Sequence, residues 1–146
     1  MSDRAGATPK HIWIVGGLSL LWNSLGAFDY VMTRTRNAEY LAQFTPEQVA
    51  YFDAFPVGMG IVWALGVWGS VAGSLLLLAR SRHAVGLFGL SLVGIVLSAI
   101  WQFGLSGADI QRIFGVVPIA MTTAVFLICL MLFLYTRRQR AAGVLS

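Results

Sequence analysis

Val57-Gly58-Met59-Gly60-Ile61-Val62-Trp63-Ala64-Leu65-Gly66-Val67-Trp68-Gly69-Ser70-Val71-Ala72-Gly73-Ser74-Leu75-Leu76-Leu77-Leu78-Ala79 is a run of 23 residues without a charged side chain. A helix rises about 1.5 Å per residue and the hydrocarbon layer of a bilayer is about 30 Å thick, so about 20 apolar residues suffice to cross it. Three further runs meet the same test: Ile12 to Thr33, Ala84 to Leu105 and Phe114 to Tyr135, each of 22 residues. Asp29 is the one charged residue within the four. Backbone amides in lipid must find partners inside the chain, and no segment alternates at the strand period, so helices are expected and a barrel is not. The fold class is therefore all-α: a single polytopic membrane domain over 1–146, a bundle of four transmembrane helices.

Composition agrees. Of 146 residues, 58% are hydrophobic and 11% charged, with a mean hydropathy of +0.76; soluble domains carry about 25% charged residues. This excludes a disordered tail and a soluble enzyme core. Cys129 is the only cysteine, which excludes a disulfide scaffold. The formal charge is +4, but the ten basic residues stand in short clusters between apolar runs and form no patch for nucleic acid.

Those clusters orient the chain. Arg4, Lys10, Arg80, Arg82, Arg137, Arg138 and Arg140 flank one side, against Arg34, Arg36 and Arg112 on the other. Seven against three places both termini in the cytoplasm and the 32–56 and 106–113 connections outside. The first run, preceded by Arg4 and Lys10, also invites a signal-peptide reading. Its length and the poor cleavage pattern at Leu25-Gly26-Ala27 argue against that.

The first outer connection has structure of its own. Phe44-Thr45-Pro46-Glu47-Gln48-Val49 reads as a helix start, with Thr45 as cap, Pro46 at the first position and Gln48 closing a capping box; Phe44 and Val49 can form a hydrophobic staple. A helix over 45–55 carrying Tyr51, Phe52 and Phe55 is too apolar for solvent, so it should lie on the membrane or lid the outer mouth. Small residues mark packing seams: Gly66, Gly69 and Gly73 in the second run, Gly94 and Ser98 in the third. Whether these seams lie within one chain or between chains is open at this level. Leu21-Trp22-Asn23 also resembles Ile100-Trp101-Gln102, each followed by an aspartate, Asp29 or Asp109; this is either a duplicated helix pair or chance likeness between apolar helices.

Asp29 needs a reason, because a carboxylate within a span commonly faces a cavity or a partner. Its eighteenth place in the 22-residue run puts it near the outer boundary, where hydration or pairing with Arg34 or Arg36 would account for it. At similar depth lie Trp22, Asn23, Trp63, Trp101 and Gln102, with Pro118, Thr122 and Thr123 in the fourth run. If Trp22, Asn23, Asp29, Trp63, Trp101 and Gln102 converge, they form an outer pocket with aromatic walls and carboxylate and amide groups. Such a pocket suits a polyhydroxylated ligand, whose C–H face stacks on indole, and a cation equally. The alternative is that the tryptophans pack on lipid or on one another.

Other chemistry finds no support. His11 and His83 both flank spans on the same side, which leaves no axial pair for haem, and there is no metal cluster, HExxH, P-loop or GxSxG. No catalytic residue, metal or cofactor is expected. An enzyme would require Asp29 to meet Glu47 or Asp53 across the outer mouth.

Trp22-Asn23-Ser24-Leu25-Gly26-Ala27-Phe28-Asp29-Tyr30-Val31-Met32-Thr33, Phe44-Thr45-Pro46-Glu47-Gln48, Gly66-Val67-Trp68-Gly69 and Gly73-Ser74-Leu75-Leu76-Leu77-Leu78-Ala79-Arg80 resemble a family of small bacterial inner-membrane proteins labelled sugar transporters or uncharacterised four-helix proteins. The likeness covers residues 12–105. It implies four spans, a bacterial cytoplasmic membrane and a transport role; it transfers no site residues. Expected partners are membrane lipids, a small polar solute, and either further copies of the chain or another membrane protein. The competing function is a non-transporting scaffold or accessory subunit. Four spans are few for alternating access, so a transporting form should be oligomeric.

Overall fold

The computed structural model describes residues 8–105 and 107–146. Arg4 of the orienting count and Ser106 of the second outer connection lie outside the described residues. The helices are α1 (Lys10–Arg34), α2 (Ala38–Leu41), α3 (Pro46–Asp53), α4 (Val57–Leu78), α5 (His83–Ala99), α6 (Gly107–Phe114) and α7 (Val117–Ala141); a π-helical stretch, Ile100–Leu105, prolongs α5. Among the described residues there is no strand. Four helices are long and apolar enough to cross a membrane: α1, α4, α5 with its π-helical extension, and α7. The chain is an all-α helical bundle.

The fourth span starts at Val117, later than the apolar run that begins at Phe114. Gly115 adopts φ +70°, which ends α6, and Pro118 in the first turn of α7 opens the next helix. α4 and α5 are joined by a short turn, as antiparallel neighbours must be. Arg80 in that turn has φ 57°, and Ser81 N donates to Leu76 O at 2.8 Å. The same closure ends α1, where Arg36 has φ 55° and Asn37 N donates to Met32 O at 3.1 Å. Each is a helix stop of the kind glycine usually makes, with arginine in its place.

Packing runs α1 on α4, α4 on α5, and α5 on α7. The small-residue seams lie within the chain. A Cβ on Gly94 would come 2.8 Å from Gly66 N and 2.9 Å from Val62 O, so α4 and α5 touch backbone to backbone there. At Gly73 the same space is taken by the Phe88 ring. Beside this contact runs a polar seam. Ser19 donates to Ser74 Oγ at 3.0 Å, Asn23 Nδ2 to the same oxygen at 2.9 Å, and Ser91 to Gly66 O at 2.6 Å, with Ser70 and Ser91 hydroxyls 2.5 Å apart. In lipid these hydroxyls have no water to turn to, and among the described residues no buried side-chain N or O lacks a partner.

The end of the bundle that carries residue 8 and residue 146 holds the apolar core. Ile12, Leu77, Ala84, Phe88, Leu132 and Leu145 are buried together. Ser146 closes it by pairing with the α4–α5 turn: its N donates to Arg80 O at 3.0 Å and its O accepts from Arg82 N at 3.2 Å. The outward face of α1 is bare by contrast, with Ile14, Leu18, Leu21 and Leu25 each at least 60% exposed. Such a face is natural in a bilayer and costly in water.

The opposite, loop end gathers α2, α3 and α6. α3 starts as its sequence demands: Gln48 N donates to Thr45 Oγ1 at 3.2 Å and Thr45 N to Gln48 Oε1 at 3.0 Å, the full capping box. Three polar ties then hold α3 down. They are Arg36 Nη1 to Asp53 Oδ1 at 2.5 Å, an ion pair between Arg112 and Glu47, and Gln48 Nε2 donating to Ile113 O at 3.4 Å.

Candidate functional site

The loop-end face of α3 is built from rings. Tyr51 and Phe52 stand in the last turn of α3, whereas Phe55, which the sequence reading includes in a helix over 45–55, lies beyond the helix end at Asp53, in the link to α4; the three rings cluster where the chain turns back into the bundle. Phe55 packs edge-on against Trp63 of α4, centroids 5.9 Å apart, and against Trp101 of the π-helical stretch at 5.2 Å. Tyr51 meets Trp101 at 6.2 Å and Phe114 of α6 at 5.5 Å. Tyr30 of α1 completes the wall, 4.9 Å from Trp63. The mouth of the bundle is thus closed by edge-packed rings contributed by α1, α3, the link from α3 to α4, α4, α6 and the π-helical stretch.

Asp29 stands beside this wall, and its partner is the hydroxyl of Tyr40 on α2, which donates to Oδ1. Neither arginine considered for it is used: Arg36 binds Asp53, and Arg34 forms no ion pair among the described residues. Burial, followed by the hydrogen bond and charge of Asp29, holds the Tyr40 phenol above its ordinary range. Tyr40 in turn packs on Phe28 at 5.7 Å and Phe44 at 5.8 Å, and Phe44 on Phe52 at 5.5 Å. The carboxylate is therefore linked through Tyr40 to the rings of the lid.

The six sequence candidates divide accordingly. Trp63 and Trp101 meet through Phe55, and Gln102 sits next to Trp101, half-buried and engaged. Asp29 does not meet them directly; it is hydrogen-bonded to Tyr40, from which ring contacts run through Phe44 and Phe52 to Phe55. Asn23 turns away: its amide donates to Ser74 Oγ and, at 3.3 Å, to Ser70 O, as part of the seam between α1 and α4. Trp22 is half-buried, and its side chain has no ring or hydrogen-bond partner among the described residues. The similar triplets around Trp22 and Trp101 thus occupy different surroundings. Of Asp29, Glu47 and Asp53, each is engaged by a different partner, Tyr40, Arg112 and Arg36.

Tyr40, Phe55 and Tyr30 escaped the sequence reading as site residues. Phe55 carried a signal, as a large ring in a short apolar loop helix. Tyr40 carried none, because α2 is a four-residue turn capped by Asn37, whose side chain accepts from Tyr40 N at 3.0 Å.

A concavity lies on the side of the bundle. α4 forms its floor, with α1 and α5 as walls, and it encloses about 490 Å³. Arg34, Tyr30, Ile61, Leu65, Trp68 and Leu90 line it, and none of the six sequence candidates does. Comparison with protein-family models, with curated proteins and with solved structures finds no match for this chain.

Proposed function

We propose that this integral membrane protein binds a small polar solute, a sugar by preference, at the ring-walled mouth beneath α3, and passes it across a bacterial cytoplasmic membrane. The observation that carries the reading is the meeting of Trp63, Phe55 and Trp101, next to Gln102, beneath α3. Indole edges and faces bind the C–H surface of a sugar, and an amide and a carboxylate supply partners for its hydroxyls. The π-helical stretch supports it further, since such widened turns recur at functional sites. In the resting arrangement the rings fill the mouth, so binding requires α3 to lift. The excess of arginine in the segments flanking the opposite end supports a mouth that opens to the outside, with the α4–α5 turn on the cytoplasmic side.

Thermal unfolding in nanodiscs against a panel of sugars and quaternary amines tests this. A ligand at a hundredfold excess over its Kd raises stability by about 2.7 kcal/mol. A saturable rise that Trp101→Ala abolishes supports the reading, and a panel without any rise overturns it.

An accessory or self-assembling role is the second reading, and the bare face of α1 favours it. Gly17 and Ser24 lie two turns apart on that face, both exposed, and a Cβ on Gly17 would meet nothing within 4 Å. Small residues left open in a membrane helix admit a second helix at close range. Native mass spectrometry that finds only single chains, with no copurified protein, would remove this reading.

A further inference from the structure

The side groove shares only Tyr30 with the ring-walled mouth and has a different chemistry. Its walls are apolar, with Ile61, Leu65 and Leu90 exposed toward where lipid would lie, and its loop end is marked by the guanidinium of Arg34. That guanidinium rests over Gly60, with Nη2 3.5 Å from where a Cβ would stand, so the missing side chain leaves it room beside α4. Three arginines occupy the loop end. Arg36 is neutralised by Asp53 and Arg112 by Glu47, whereas Arg34 has no carboxylate partner among the described residues. An arginine at the rim of an apolar groove, without a counter-ion in the protein, calls for an anion attached to an apolar chain.

Dimensions agree with that occupant. The groove follows α4 from Val57 to Ala72, about 22 Å of helix. A single leaflet is half of a hydrocarbon core about 30 Å thick, so a chain anchored at Arg34 would lie along the groove through its own leaflet. Tyr30 and Trp68, packed edge-on with centroids 6.1 Å apart, stiffen the wall beside it.

We infer that this groove is a lipid site that selects one anionic phospholipid, with its phosphate on Arg34 and an acyl chain against Ile61, Leu65 and Leu90. Arg34 forms charge-assisted hydrogen bonds to the phosphate oxygens, and selectivity comes from the net charge of the headgroup, since a zwitterionic lipid brings its own cation to the same phosphate.

Native mass spectrometry of the protein released from nanodiscs of equal parts phosphatidylglycerol and phosphatidylcholine tests the site. The wild type is expected to retain one phosphatidylglycerol in roughly tenfold preference, the value of one charge-assisted contact. Arg34→Gln should bring the two lipids to parity, Arg34→Lys should keep a preference, and Arg34→Glu should favour phosphatidylcholine. Arg34 is exposed at the end of α1, so these variants leave the packing intact. The tail cluster Arg137, Arg138 and Arg140 is the competing source of anionic binding, and its triple glutamine variant serves as control. Equal retention by the wild type, a preference unchanged in Arg34→Gln, or a preference lost only in the tail variant would each overturn the site.

Discussion

Gly94 shows how much of this fold rests on the absence of a side chain. Its would-be Cβ meets backbone atoms of α4, which cannot rotate aside as a side-chain tip can. Gly94→Ala is therefore expected to lose about 1 to 3 kcal/mol by prising α5 from α4. Gly17→Ala, in open space, should instead gain up to about 1 kcal/mol from helix propensity. Thermal unfolding of both in one detergent checks the pair, and an unchanged midpoint for Gly94→Ala would contradict the contact. Tyr40 offers a pH test. An acid held above its ordinary pKa in the folded state binds its proton more tightly there than when unfolded, so its contribution is complete below about pH 10 and fades as pH rises through the folded value. Tyrosinate absorbance should lose its latest-rising component in Tyr40→Phe, and that variant should no longer show the alkaline part of the wild-type stability loss. Asn23 marks the limit of what the sequence showed. Neither level nor facing was legible for it: Asn23 meets Ser70 and Ser74, far along α4 from Trp63, although helical arithmetic offered a clue to its facing. At about 100° per residue, Asn23 lies some 120° around α1 from Asp29 but within about 40° of Ser19, the residue whose seam it joins.

The loop helix α3 was legible for a different reason: its start is written in adjacent residues, and the capping box of Thr45 and Gln48 forms as local chemistry requires. α2, α6 and the π-helical stretch were not. A four-residue turn has no periodicity to detect, α6 is cut from α7 by the backbone of one glycine, and widening by i to i+5 bonding leaves no local mark. What fastens α3 can be decided by magnitude. The Arg36–Asp53 side chains are 62% and 44% exposed and those of Arg112–Glu47 61% and 55%, so water and salt screen both pairs. Phe55 touches Trp63, Trp101, Tyr51 and Phe52 at once. Phe55→Ala is expected to lower stability by about 3 kcal/mol, while Arg36→Gln should leave the unfolding midpoint nearly unchanged. Limited proteolysis between Gln43 and Asp53 provides the local readout. Faster cleavage in Arg36→Gln than in Phe55→Ala would mean that charge, and not ring packing, holds the lid.

Four apolar runs determined the architecture because length in a bilayer is a hard constraint, whereas the direction of insertion rests on a bias in flanking arginines. The fold sharpens that question. The core around Leu145 joins the residue-8 end, the α4–α5 turn and the residue-146 end into one unit, so they must lie on the same side of the membrane. α2, α3 and α6 form a second unit at the other end. Cys129 is the only cysteine and is buried, its thiol directed to Phe88 O at 3.7 Å, so serine can replace it with little change of shape. In that background, Gln43→Cys and Ser146→Cys each place one exposed thiol, at opposite ends. In intact bacterial cells a membrane-impermeant maleimide should label position 43 at once and position 146 only after the cells are opened. The reverse pattern would invert the orientation and turn the ring-walled mouth toward the cytoplasm, making it a site for a cytoplasmic solute. Labelling of both positions in intact cells would contradict the four-span bundle itself, because an even number of crossings separates position 146 from position 8 while an odd number separates position 43 from either.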